Sequence, residues 1–68
     1  MMNIEYIWVI DSGFAYGGVI LRNDKIIETA PIYRKTLLGL SAAAAKRKLG
    51  IIGWSIVKIY RRRMSPSA

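Results

Sequence analysis

The sequence predicts a small α+β domain, with a sheet of about four strands in the order β-β-β-α-α-β and one helix packed on one face. Two observations favour this class. Short apolar runs rich in isoleucine and valine are separated by turn residues, and an alanine-rich stretch has serine before it and glycine after it. A chain of 68 residues has room for one core. We assign residues 1–60 to that domain and residues 61–68 to a basic, flexible tail.

Residues 3–11 form the first predicted strand. Their apolar side chains fall on both sides of the strand, which is typical of a central strand that is covered on its main face. Asp11 and the residues after it supply a turn, because Asp and Ser bond to their own backbone. One face of the strand is expected to carry Ile4, Tyr6, Trp8 and Ile10, and the other face Glu5, Ile7 and Val9.

Glycines and a polar turn mark the next two strands. The adjacent glycines at 17 and 18 lead into a strand over residues 19–22 and indicate a bulge or a close backbone approach. A phosphate-binding loop is disfavoured, because no lysine or Ser/Thr follows at the required spacing. Asn23-Asp24 tolerates the left-handed backbone of a tight turn, and this predicts a hairpin that joins the second strand to a third over residues 25–29.

Two helical segments are predicted after the hairpin. Residues 31–38 begin with a proline and are followed by Gly39, which indicates about two turns of helix. Ser41 is a good N-cap for a helix over residues 42–49, whose alanines have the highest helix propensity. Gly50 is the expected residue after the helix end.

Residues 51–61 are predicted to form the last strand, paired beside the first. A helix would spread the apolar residues of this segment around its circumference, whereas five β-branched residues and two nearby glycines favour a strand. Trp54 is expected to pack in the core rather than to stack on a nucleic-acid base. One face of the strand is expected to carry Ile52, Trp54, Ile56, Lys58 and Tyr60.

The composition disfavours an enzyme. The chain has no cysteine and no histidine, and its four acids are the only other candidates for metal ligands or general bases. A hydrolase or nuclease needs converging groups of this kind, so we predict no catalytic residue, no metal and no cofactor. The acids are Glu5, Asp11, Asp24 and Glu28.

The charge is distributed very unevenly. The net charge is +7, and residues 29–68 carry nine basic residues and no acidic one. Such an asymmetry is typical of a surface that binds a polyanion. The first candidate site is nucleic-acid-binding and comprises Lys46, Arg47, Lys48, Lys58, Arg61, Arg62 and Arg63. Secondary basic contacts are expected from Arg34 and Lys35.

We therefore predict a small basic protein that binds nucleic acid without strong sequence specificity, since no sequence-reading motif is present. The alternative is a protein-interaction module that binds an acidic protein surface or adds a sheet edge, such as residues 25–29, to a partner sheet. Binding to an anionic membrane surface is a third hypothesis, and the weak helical periodicity of residues 46–63 disfavours it. The choice between DNA and RNA and the formation of a homodimer remain open.

The expected location is the cytoplasm. The first residues lack the positively charged start of a signal peptide, and no segment has the ~20 apolar residues that span a bilayer.

Three short motifs resemble a pattern found in small uncharacterised bacteriophage proteins. The motifs are the run Gly13 to Val19, of the form G(Y/F)xxGG(V/I), the corner Ala30-Pro31-Ile32, and a basic helix end with the form Lys-Arg-Lys-x-Gly at residues 46–50. The resemblance covers residues 4–60. It implies a phage origin, a small α+β fold and a location in the host cytoplasm, and it favours a bacterial host protein as the partner in the alternative hypothesis. It implies no site residue.

Overall fold

The computed structural model describes residues 3–64, which form one four-stranded antiparallel sheet with helices on one face. The order of strands in the sheet is β3-β2-β1-β4. The α+β class, the central position of the first strand and its pairing with the last strand are all confirmed. The strands are β1 (Asn3–Asp11), β2 (Tyr16–Arg22), β3 (Lys25–Thr29) and β4 (Ser55–Met64).

The helices cover one side of the sheet, which we call the helical face. A 3₁₀ turn at Pro31–Tyr33 leads directly into the short helix α1 (Arg34–Leu37), and the main helix α2 spans Ala42–Ile52. Alternate residues of β1 and β2 meet these helices in a single core, as expected for a two-layer domain. The core consists of Trp8, Ile10, Val19, Leu21, Ile26, Tyr33, Leu37, Ala45 and Leu49.

The predicted hairpin and the predicted close backbone approach are both present. Asn23 and Asp24 have φ of 53° and 65°, the left-handed conformation that a tight two-residue turn requires. β2 begins at Tyr16, so both glycines lie inside the strand rather than before it. A Cβ atom on Gly17 would lie 2.5 Å from Cε2 of Tyr33, so the glycine allows the tyrosine ring to pack against the β2 backbone.

α2 begins where the sequence predicts but ends later. The hydroxyl of Ser41 accepts a hydrogen bond from the Ala44 amide at 3.2 Å, which confirms the N-cap. The expected end at Gly50 is wrong, because this residue lies within the helix. The residue with the left-handed backbone is Gly53, with φ of 79°, and the amide of Trp54 bonds back to the Leu49 carbonyl at 3.0 Å. Residues 51 and 52 are therefore helical and not part of the last strand.

β4 also differs from its prediction in bounds and in the face that each residue occupies. It begins at Ser55 and continues to Met64, so the first residues of the predicted tail, Arg61 to Arg63, are paired with β1. The remaining tail residues 65–68 lie outside the described residues. Lys58 pairs with Val9, but Ile56 pairs with Ile10, which leaves Val57 as an unpaired bulge.

The bulge places residues that were predicted to share one face of the strand on opposite faces of the sheet. In a regular strand, residues two apart lie on the same face. A bulge inserts one extra residue, so residues two apart across it lie on opposite faces. Ile56 therefore lies on the helical face, whereas Lys58 and Tyr60 lie on the other face, which we call the open face. Trp54 precedes the strand and packs beside the core, with its ring centre 5.0 Å from that of Tyr33.

Candidate functional site

The helices leave one end of the helical face uncovered, and a cleft of about 480 Å³ lies there. Its floor is formed by Ile4 and Tyr6 of β1 together with Ile59 of β4. Ala42 and Lys46 of α2 border the cleft, and Asp24 at the hairpin tip lines the β2 side.

The floor of the cleft is apolar and aromatic. The Tyr6 side chain is 40% exposed and Ile59 is 53% exposed. Trp8 also lines the cleft and is buried, and the ammonium nitrogen of Lys46 lies 5.6 Å from the centre of its ring. This cation–π contact holds a positive charge beside the aromatic surface.

Two arginines of β4 lie beside the same floor. Arg61 is the cross-strand partner of Tyr6, and Arg63 is the partner of Ile4, so both arginines lie on the helical face. Directly paired residues in a sheet have Cβ atoms about 5 Å apart. Of the seven residues predicted as the main basic site, Lys46 therefore lines the cleft, and Arg61 and Arg63 flank it as cross-strand neighbours of its floor.

Arg62 points to the open face and is bound to an acid. Its guanidinium donates through Nε and Nη2 to Oε1 of Glu5, and Arg22 donates to Oε2 of the same carboxylate at 2.7 Å. Glu5 is only 2% exposed, because the two arginines cover it from β2 and β4. These hydrogen bonds, first from Arg62 and then from Arg22, hold the pKa of Glu5 below its usual range.

This ion cluster removes Arg62 from the set of available cations. Buried carboxylates require such partners, because an unpaired charge away from water is costly. The sequence does contain a signal for the cluster, since Glu5 is the only acid within the apolar run of residues 4–10. The identity of its partners depends on strand pairing and has no local sequence signal.

The other predicted basic residues do not join the cleft. Lys58 lies on the open face, with its Nζ 5.1 Å from the Tyr60 ring centre. Arg47 and Lys48 are exposed. Their side chains project from α2 in other directions than that of Lys46, because consecutive helical residues are about 100° apart around the axis. The secondary candidates of α1 are exposed and do not line the cleft; they are Arg34 and Lys35.

The acids of the described residues are dispersed. Asp11 accepts a hydrogen bond from the Gly13 amide at 2.8 Å, within a turn. Residues 3–64 contain no group of three or more acids, histidines or cysteines that could hold a metal ion.

None of the helices in residues 3–64 is long and apolar enough to cross a membrane. No protein-family model matches the chain, and comparison with curated proteins and with solved structures finds no match.

Proposed function

We propose that the cleft binds a single strand of nucleic acid, with an unpaired base on Tyr6 and the phosphates on Lys46, Arg61 and Arg63. The observation that carries this proposal is the exposed Tyr6 ring, which lies on an apolar floor beside Arg61. Base stacking on an aromatic side chain contributes roughly 1–3 kcal/mol per base. Lysine and arginine that neutralise phosphates add affinity that decreases with salt concentration.

The shape of the cleft favours a single strand over a duplex. The bases of a duplex are stacked on one another, so they do not reach an apolar floor below the protein surface. A duplex would contact only the cations at the rim. The cleft volume of about 480 Å³ lies in the range of pockets that enclose a flat ring system.

The charges of the cleft suggest how the strand lies. Arg61 and Arg63 are on the β4 side, and Asp24 is on the β2 side. Phosphates are attracted to the first side and repelled from the second. The backbone of the strand therefore follows β4, and the base points toward Asp24, whose carboxylate accepts hydrogen bonds from an exocyclic amino group. Stacking tolerates every base, so the sequence preference is weak.

The test is fluorescence anisotropy with a labelled oligonucleotide, single-stranded or annealed to its complement, over a range of salt concentrations. The single strand is expected to bind more tightly than the duplex. Replacing Lys46, Arg61 and Arg63 together by alanine should reduce the salt slope by about 2, since each phosphate contact to a single strand contributes about 0.7. Tyr6→Ala should weaken binding about 5- to 150-fold and leave the slope unchanged.

A matched control uses three exposed cations that do not line the cleft, namely Arg34, Lys35 and Arg47. Their replacement by alanine removes the same net charge and should change the slope much less. Circular dichroism confirms that each variant is folded. Equal losses in the two triple variants would mean that binding depends on net charge alone, and the cleft would then not be the site.

A further inference from the structure

The two edges of the sheet differ in whether their backbone is already paired. On β3, the Ile26 amide donates to the Leu40 carbonyl at 2.8 Å and the Ile26 carbonyl accepts from the Gly39 amide at 2.9 Å. Lys25 also forms a bridge with Ser41. The loop before α2 therefore occupies the outward-facing backbone groups at the start of β3. The edge at residues 25–29, predicted above as one that could add to a partner sheet, is already paired at Lys25 and Ile26.

The edge at β4 is long and open. Among residues 3–64, β1 is the only strand that pairs with β4. Alternate amides and carbonyls of an antiparallel edge strand point away from the sheet. In β4 these groups have no partner in the described part of the chain, and the side chains from Val57 to Arg63 are exposed. Such an edge is a template for another strand.

The cations of β4 determine which strand it accepts. Natural proteins place Lys and Arg on edge strands, because two copies of such an edge bring like charges together. The charges on β4 therefore oppose pairing with a second copy of this chain. The same charges attract a strand that carries carboxylates. Cations are available on both faces, since Lys58 lies on the open face and Arg61 and Arg63 lie on the helical face, whereas Arg62 is already paired with Glu5.

We propose that the β4 edge binds an extended acidic segment of a partner protein, which adds to the sheet as a fifth strand beside β4. Strand addition of this kind takes affinity from main-chain hydrogen bonds and specificity from alternating side chains. An acidic residue is favoured opposite Lys58, Arg61 and Arg63, and a β-branched residue is favoured opposite Ile59 and Tyr60. A neutral residue is expected opposite Arg62, because that guanidinium is bound to Glu5. Along an antiparallel partner, the pattern opposite residues 63 to 58 is acid-neutral-acid-apolar-apolar-acid.

The probe is a labelled, end-blocked peptide with the core Glu-Thr-Glu-Val-Val-Glu. A second peptide has the same composition in the order Val-Glu-Val-Glu-Glu-Thr, which places no acid opposite Lys58, Arg61 or Arg63. Two further peptides keep the original order and carry N-methyl groups on alternate backbone nitrogens, one peptide for each of the two alternating sets of nitrogens. Binding is followed by fluorescence anisotropy, and the β4 amides are followed by hydrogen exchange in nuclear magnetic resonance spectra.

The first peptide is expected to bind best and to protect every second amide of β4. One of the two methylated forms should bind at least about tenfold more weakly, because it loses the hydrogen bonds to β4 but keeps all charges. Equal binding of all the peptides, or no alternating protection in β4, would overturn the proposal. Association of the chain with itself through β4 would overturn it as well.

Two single variants separate this site from the cleft. Lys58→Ala removes a cation that lies on the open face and outside the cleft, so it should weaken the peptide complex and leave oligonucleotide binding unchanged. Lys46→Ala should do the reverse, because Lys46 lies on α2 and is not part of the β4 edge. Loss of both ligands in both variants would contradict a separate edge site, whatever the outcome for the cleft.

Discussion

Gly17→Ala is expected to destabilise the fold by overpacking one contact between β2 and the turn before α1. The new Cβ atom would lie 2.5 Å from Cε2 of Tyr33 and 3.2 Å from the Cβ of Ala30. Tyr33 cannot move away easily, because it is fully buried and its hydroxyl lies 3.2 Å from the carbonyl oxygens of Ile10 and Ala15. Overpacking of this kind costs about 1–3 kcal/mol.

Gly18→Ala is the matched control for this prediction. It lies in the same strand, and the nearest atom to its added Cβ is the Trp8 carbonyl oxygen at an ordinary 3.9 Å. Both alanines reduce the conformational entropy of the unfolded chain, a gain of about 0.4–1 kcal/mol that the two variants share. The difference between them therefore isolates the clash, at about 1–3 kcal/mol, or roughly 5–20 °C in Tm for a domain of this size.

Urea denaturation followed by tryptophan fluorescence measures the free energy of unfolding of both variants. Combining Gly17→Ala with Tyr33→Leu removes the ring that the new methyl group meets, so the alanine should cost much less in that background. Equal stability of the Gly17→Ala and Gly18→Ala variants would refute the close packing of Tyr33 on β2.

Three further predictions concern the end of α2, the core and the buried ion cluster. Gly50→Ala should raise the free energy of unfolding by about 0.5–1 kcal/mol, because Gly50 is inside α2 with open space around it. Gly53→Ala should lower it by about 1–2 kcal/mol, because φ there is 79°. Thermal denaturation of this pair checks where the helix ends, and the opposite order would place the end at Gly50. Leu49→Ala, at a residue only 2% exposed, should cost about 2–5 kcal/mol in urea denaturation. Ile51→Ala, at a residue 77% exposed, should change stability by less than about 0.5 kcal/mol, and a similar loss in both would contradict the orientation of α2. The Tm should fall as the pH decreases below about 4.3, the usual pKa of glutamate. The pKa of Glu5 is lowered in the folded protein, so in that pH range the unfolded chain binds more protons than the folded chain and acid favours unfolding. Glu5→Gln should remove most of this dependence and Glu28→Gln should keep it; an unchanged profile in the Glu5 variant would exclude the cluster as its cause.

The features that the sequence predicted well are those decided by a few neighbouring residues. The hairpin at Asn23 and Asp24 follows from their tolerance of a left-handed backbone, and the start of α2 follows from the Ser41 cap. The end of α2 was less predictable, because Gly50 and Gly53 are equally good local stops. The isoleucines between them are compatible with either end, and the helix ends at the later glycine, where Gly53 has the left-handed backbone and the Trp54 amide bonds to the Leu49 carbonyl.

The candidate site was predicted only in its residue types. The sequence predicted a basic site on α2 and β4, but the bulge at Val57 and the pairing with β1 decide which of its residues lie together. Alternation along β4 places Arg61 and Arg63 on the helical face beside the cleft and directs Arg62 to Glu5. No local pattern indicates that the helices leave Tyr6 exposed, so the exposed floor of the cleft could not be foreseen.

The buried Glu5 carboxylate also has a consequence for the order of folding events. Its partner Arg22 is 17 residues away along the chain, whereas Arg62 is 57 residues away. Closing the longer loop costs about 1 kcal/mol more in chain entropy. The three-stranded meander is therefore expected to form first, and β4 is expected to dock onto it last. Because Arg61 and Arg63 belong to β4, a folding intermediate in which β4 has not yet docked lacks both the complete cleft and the open β4 edge.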